Sequence, residues 1–450
     1  FRGLVAISLA WFAPFATAAI KKPQGNWSNA ANWLDDILPT ASDWIVIGGE
    51  TDGIDFINAN ITADSLSMHN KTYELGNDAG SPFDPWTLTL TGTGLDGRTN
   101  VILLTTNANL TVGSVSQSGR ALLTVALGGT GVEHNFFVDA TSSLLFSDGG
   151  GSSDSAITGN NSIRFIGGGT LTLEGTANTF GGAGRFFALE EGTLILNHSN
   201  ALGHGSNTVI INGGTIDKTV ATWPRLRHHN HIWSNSFAFA GSQPLNIGTG
   251  RVTWAQNLSL DVQGNYLTIG GNITNDNGYL NEFTKIGAGT LIIDSRSTYR
   301  SKLVIAEGTL SVTNVNDENV PGPLGNSTNV ITMGASSLFG TLMLTGTTAS
   351  ATDRLFTMAS SGGGGGRFSV ANGPNTLTLN NTVSGGGQMD KQGVGTLVII
   401  GTNTFTGRMT ISSGTAAVQV VNNASANGPP WATVRPRFAW AARLAVQSRH

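Results

Sequence analysis

A Gly-Thr pair that keeps returning ahead of a short apolar alternation limits this chain more than any other feature. Three segments carry it: GGGTLTLEGTANTFGGAGRFFALEEGTLILN (167–197), GAGTLIIDSRSTYRSKLVIAEGTLSVT (287–313) and GVGTLVIIGTNTFTGRMTISSGTAAVQ (393–419). Each opens on Gly169, Gly289 or Gly395. Each then passes a Thr-aromatic pair (Thr179-Phe180, Thr298-Tyr299, Thr404-Phe405) and reaches a second Gly-Thr at Gly192, Gly308 or Gly414. The two anchors lie 19 residues apart in the second and third copies and 23 in the first, a difference that four loop residues explain.

Behind each anchor the side chains alternate. Leu171 and Leu173 point one way, Thr170 and Thr172 the other; Leu194/Leu196, Leu291/Ile293, Leu310/Val312 and Leu397/Ile399 repeat the pattern. Period 2 over four or five residues predicts a short strand with one buried face. Such a strand buries two apolar side chains, at ~1.5–3 kcal/mol each. That cannot offset the cost of ordering about twenty residues at ~1–2 kcal/mol apiece. The unit must therefore stack on copies of itself. A recurrence of 19–23 residues suits one coil of a parallel β-helix, each coil rising by the strand spacing of about 4.8 Å. Phe180, Tyr299 and Phe405 recur with the repeat and read as a stacked interior or ledge.

Weaker strands of the same kind fill the intervals at 86–92, 101–112, 258–271 and 375–387, and the Gly362–Gly366 run reads as a loop between two of them. Residues 25–49 differ, with Trp27, Trp33 and Trp44 close together. An open end of a stack exposes strand edges and apolar core, so 20–50 reads as an N-terminal cap. Residues 1–19 hold one Arg, an apolar run and an Ala-Thr-Ala ending, the form of a secretory signal. The organisation expected is thus signal peptide 1–19, cap 20–50, degenerate coils 51–166, first repeat and spacer 167–286, second repeat and spacer 287–392, third repeat, truncated, 393–428, and a tail 429–450. The tail loses the Gly-Thr pattern and reads as out of frame or disordered.

Composition narrows the function classes. Glycine is 61 of 450 residues, about twice average usage, as many tight turns require. Charged residues are 12%, with Lys+Arg 24 against Asp+Glu 28, which excludes an electrostatic nucleic-acid binder. Cysteine is absent, which excludes disulfides, thiolate metal ligands and a Cys nucleophile. No stretch beyond the signal is apolar for about 18 residues, so no transmembrane segment is expected in the mature chain.

The third copy with its lead-in, TVSGGGQMDKQGVGTLVIIGTNTFTGRMTISSGT (382–415), and the opening NWSNAANW…LPTASD (26–43) resemble the autotransporter-associated β-strand repeat proteins, also called passenger-associated transport repeat proteins. The resemblance implies an all-β fold, a right-handed parallel β-helix (solenoid), here with a Trp-rich N-terminal cap. It also implies a bacterial protein that is exported and displayed outside the cell or on the outer membrane. Its C-terminal anchor or translocator is expected beyond the present sequence.

Residues that might carry chemistry are few. His228, His229 and His231 form the one His cluster, but no Cys or paired carboxylate joins them and a strand puts neighbours on opposite faces. They are expected on a surface loop or strand edge. Asp35 and Asp36, beside Pro39, read as solvated turn residues. The loops 94–97 and 313–318 match no Ca²⁺ motif. The Trp residues 27, 33, 44, 86, 223, 233 and 254 suit packing better than a sugar platform. No catalytic, cofactor-binding or metal residue is assigned, and no cofactor is expected. The favoured function is a surface-displayed stalk or adhesion surface, with extracellular glycans or neighbouring cell surfaces as partners. The alternatives are a polysaccharide lyase or hydrolase, which needs Asp/Glu with Arg or Lys gathered on one stacked face, and a carbohydrate-binding module using the Trp-rich N-terminus.

Overall fold

The computed structural model describes residues 18–21, 27–33, 36–47, 52–77, 86–92, 100–113, 123–129, 132–147, 155–175, 178–222, 225–275, 281–359, 362–418 and 444–446. Most of the signal segment, Asp35, Trp223, the 94–97 loop and the tail apart from 444–446 lie outside the described residues. One short 3₁₀ turn, Ala30–Asn32, is the only helix among the described residues; the regular structure is otherwise strand. The chain divides into two compact units, 1–227 and 228–450, and within each the strands form long parallel sheets, as in a parallel β-helix.

In the first unit three sheets share the winding chain. One runs Ala18–Lys21, Trp44–Ile47, Ser65–His69, Asn100–Thr105, Glu133–Val138, Ser162–Ile166, Phe186–Leu189, Thr208–Ile211. The second runs from Gly53–Ile57 through Thr72–Asn77, Asn109–Val112, Ser143–Phe146, Thr170–Leu173 and Thr193–Leu196 to Thr215–Asp217. The third holds Ile61–Ala63, Trp86–Leu90, Leu123–Leu127 and Ser155–Thr158. Successive strands visit successive sheets, so each coil has three sides. The coils shorten along the chain: His69 meets Thr105, 36 residues on, whereas Glu190 meets Asn212, 22 residues on.

The core follows from the alternation. Leu110, Leu144, Leu171, Leu194 and Ile216 pair in one inward row across five coils, and all are buried. Inserting any of these side chains into the row removes it from water on both sides, which is how a strand of four residues becomes stable. The first repeat explains the shortening. Its coil has two strands, and the third side is a corner rather than a strand. Thr179 and Phe180 both donate their backbone N–H to the carbonyl of Ile157, while Asn178 Oδ1 accepts from the Ile157 N–H at 2.9 Å. The corner thus continues the third sheet's bonding and drops Phe180 into the core, fully buried.

The second unit repeats the plan. The row Tyr266–Ile269, Thr290–Ile293, Gly308–Val312, Phe339–Leu344, Gly365–Val370, Gln388–Gln392, Met409–Ile411 is parallel throughout, as is Leu258–Val262, Glu282–Ile286, Lys302–Ile305, Ile331–Met333, Phe356–Met358, Val383–Gly385. A further sheet holds Ser350–Thr352, Thr376–Leu379, Thr396–Ile399, Thr415–Val418 and Leu444–Val446. The Gly-Thr anchors stack on one another: Thr290 pairs with Thr309, Thr396 with Thr415, and in the first unit Thr170 with Thr193. The anchor spacing is therefore one turn of the coil. The Gly362–Gly366 run is only half loop, since Gly365 and Gly366 open the strand Gly365–Val370.

The aromatic corners recur. Thr298 donates to the Ile273 carbonyl, and Thr404 and Phe405 donate to the Val383 carbonyl. Ser297 and Asn403 accept the N–H of those same residues, as Asn178 does. Tyr299 is fully buried, but Phe405 is half-exposed. The backbone at Gly325 lies against the Tyr299 ring, and Gly203 lies likewise against Phe180; neither site has room for a Cβ. The chain that follows Phe405 at the same interval lies outside the described residues.

Candidate functional site

Two glycine-rich turns carry a feature the sequence reading passed over. Lys285 and Lys391, each four residues before a Gly-Thr anchor, turn inward and are fully buried. Lys285 Nζ donates to the carbonyls of Ile286 and Gly287, at 2.9 and 2.6 Å. Lys391 Nζ donates to those of Gln392, Gly393 and Ser413. Burial pushes both ammonium groups down to about 8. In the first copy Phe165 holds the same place. The shared string Lys-x-Gly-x-Gly-Thr-Leu was the available signal. Arg354 acts similarly on the loop before it. It is buried and donates to the carbonyls of Asn316, Asp317, Gly325 and Ser327.

These cations face inward. What faces outward is mostly hydroxyl. Ser143, Thr170, Thr193 and Thr215 form one outward row, and Thr376, Thr396 and Thr415 another. Several charges on the outer faces sit opposite partners of the other sign. Arg164 bonds both Glu133 and Glu190, and Glu190 also accepts from Asn212. Lys302 Nζ lies 2.9 Å from Glu282, whose carboxyl it holds below the usual range. Two acid-and-base groupings stand out among the described residues: Glu133–Arg164–Glu190, where the arginine engages both carboxylates, and Asp317, Glu318 and Asp353 around Arg354, whose guanidinium is taken up by backbone carbonyls.

The other expected positions fall out as follows. His229 and His231 are buried, against the expectation of a surface loop or strand edge; of the three only His228 is exposed, with Nδ1 bonded to Thr249. The reason is the strand Asn230–Trp233, whose alternation sends 231 and 233 inward together. Burial, and then the neighbouring His229, lower His231 to about 3. Among the described residues no three His, Cys, Asp or Glu side chains come together to hold a metal. Asp36 is exposed in a left-handed turn, φ 54°. In the 313–318 loop, Asp317 accepts from the Asp353 N–H and Asp353 from the Glu318 N–H, so these carboxylates tie adjacent coils.

Four of the tryptophans, Trp27, Trp33, Trp233 and Trp254, are core, while Trp44 and Trp86 are half-buried. Trp27 and Trp33 meet edge to face at 5.5 Å, fully buried, and Trp33 Nε1 donates to the Trp27 carbonyl. Trp233, Trp254, Phe283 and Tyr299 form a continuous buried aromatic cluster. Rings placed this way, Trp27 and Trp33 among them, offer no open face to a sugar, and of the N-terminal three Trp44 alone is half-exposed.

The passenger-associated-transport-repeat model matches residues 283–312 and 389–415. These segments begin beside the two buried lysines and end at or just past the second anchor. An adhesin, BmaC autotransporter of Brucella suis biovar 1 (strain 1330), is 30% identical over 337 residues, which cover 66% of this chain. The chain spans about a tenth of that relative, 9% of its length. No solved structure matches the chain. No helix among the described residues is long and apolar enough to cross a membrane.

Proposed function

We propose that this chain, which carries passenger-associated transport repeats at 283–312 and 389–415, is an exported, surface-displayed passenger whose outer faces serve for adhesion. The supporting observation is the stacking of the repeat anchors in register. Each repeat adds a rung whose inner half is core and whose outer half is hydroxyl, so the fold multiplies contact surface without needing a reactive centre. Likeness to a named adhesin points the same way. Sparse charge, 12% of residues with a net charge of -4, leaves little long-range repulsion toward another cell. The Trp27–Trp33 cluster packs at the start of the stack as a cap would.

The test has two parts. Full-length chain displayed on a heterologous Gram-negative host should be cleaved by external protease on intact cells. Beads coated with the purified chain should bind epithelial or bacterial cells above beads carrying an unrelated β-helical protein. Display without binding would leave the chain as a stalk that carries another region outward, and would refute adhesion by these residues.

A further inference from the structure

The second unit carries an open groove of about 460 Å³ on the outer face of the sheet formed by Gly308–Val312, Phe339–Leu344, Gly365–Val370 and Gln388–Gln392. Register builds it. Thr309, Thr341, Arg367 and Asp390 make one outward row, and Ser311, Met343, Ser369 and Gln392 the next. The tight turn Gly334–Leu338 forms its wall, closed by an antiparallel bridge between Ala335 and Leu338. The following coil pins this turn: Gly364 N–H donates to the Ser336 carbonyl at 2.9 Å and Gly365 N–H to that of Leu338 at 3.1 Å. The wall is therefore preformed.

One polar group in the groove is unfinished. The Arg367 guanidinium lies 4.1 Å over the Phe339 ring. Its Nε is buried and has no hydrogen-bond partner. The nearest carboxylate, Asp390 Oδ2, is 3.7 Å away, beyond hydrogen-bond reach. A buried donor left unmade calls for an acceptor. Around it the lining has two characters. Leu338 is 42% exposed, and with Phe339 and Met343 it makes an apolar strip. Thr341 and Ser369 put hydroxyls beside it.

We infer that this groove binds a neutral sugar, one or two pyranose rings, with the apolar strip against a C–H face and Arg367, Thr341 and Ser369 bonding the hydroxyl rim. The charge balance selects neutral over acidic sugars: Arg367, the one cation lining the groove, has Asp390 3.7 Å away, and Glu307 lines the same groove, so a carboxylated or sulfated ring meets at least as much repulsion as attraction. The volume lies in the range of small-ligand sites, roughly 300–1,000 Å³. This inference deepens the adhesion reading and rests on it for its biological meaning.

Full-length chain is applied to an array of neutral disaccharides (maltose, cellobiose, lactose, mannobiose) with sialyllactose and sulfated lactose alongside, and hits are titrated by calorimetry. At least one neutral disaccharide is expected to bind in the micromolar to millimolar range and the acidic sugars more weakly. Arg367→Ala and Leu338→Asp should each weaken binding at least tenfold with unchanged circular dichroism, while Thr172→Asp on the first unit leaves it intact. Leu338 stands on a surface turn, so its variant guards against loss through misfolding. No binding of any neutral disaccharide, binding unaffected by both groove variants, or preference for the acidic sugars each overturns the inference. Cell binding that persists without sugar binding would sink the groove and spare the adhesion reading; sugar binding without cell adhesion would do the reverse.

Discussion

Gly308→Ala and Gly362→Ala place the same methyl group at two turns with nearly the same backbone, φ 66° and 73°. Both pay the left-handed penalty for a side chain, ~1–2 kcal/mol, partly offset by ~0.4–1 kcal/mol from the stiffer unfolded chain. They differ in space. A Cβ at Gly362 meets nothing nearer than 3.7 Å. A Cβ at Gly308 meets the Gly287 carbonyl oxygen at 2.3 Å, that of Gly289 at 2.6 Å and Lys285 Nζ at 2.8 Å. Two of those three are backbone of the preceding coil, so relief requires the coils to part. Overpacking of this kind costs ~1–3 kcal/mol or more. Gly362→Ala should therefore destabilise by about 1 kcal/mol or less, and Gly308→Ala by about 2–4. Urea denaturation of the full chain, followed by tryptophan fluorescence with Trp233 and Trp254 as reporters in the same unit, gives both midpoints. Equal losses would refute the claim that the anchor glycine exists for close coil approach, leaving only its backbone angle. Gly414 has the same surroundings, with carbonyls at 2.3 and 2.4 Å and Lys391 Nζ at 2.8 Å, and its alanine variant should behave like that at 308.

Three further outcomes are expected. His231 has a folded pKa of about 3, below its unfolded value near 6.5; the unfolded chain takes the extra proton first, so stability falls by roughly 1.4 kcal/mol per pH unit on descending through that window, a loss that denaturation from pH 7 to 4 should find in the wild type and not in His231→Leu. Lys285 and Lys391, lowered to about 8 from 10.5, have the same sign in a higher window: the folded state sheds their protons first, so stability rises from pH 8 to 10.5, and the midpoint of a Lys285→Met/Lys391→Met variant must drop relative to wild type over that range; parallel curves would contradict it. Arg354→Met strips donors from four carbonyls and should cost ~2–4 kcal/mol, with faster hydrogen exchange at residues 316–327; unchanged exchange there would show the arginine is not what holds that loop.

Much of this architecture was written locally. The Gly-Thr spacing of 19 residues was the length of a coil, because it set which threonines face each other. The leucine alternation named the core: Leu171, Leu173, Leu291, Ile293, Leu397 and Ile399 are all buried. These are properties of a strand and its turn, so a few consecutive residues suffice to express them. Other features belong to partners one coil away. The string Lys-x-Gly-x-Gly-Thr-Leu marks Lys285 as part of the repeat but does not announce that its ammonium will cap carbonyls inside the stack, since a lysine in a short strand ordinarily faces water. His229 and His231 looked superficial until the strand register fixed their side. Phe339 and Arg367 are 28 positions apart in the chain, and only the pairing of their strands makes a groove of them. The coils vary between 19 and 36 residues, so no fixed sequence interval predicts which side chains meet. Local alternation decides that a strand forms and which face is apolar; stacking decides what each outer residue finds as its neighbour.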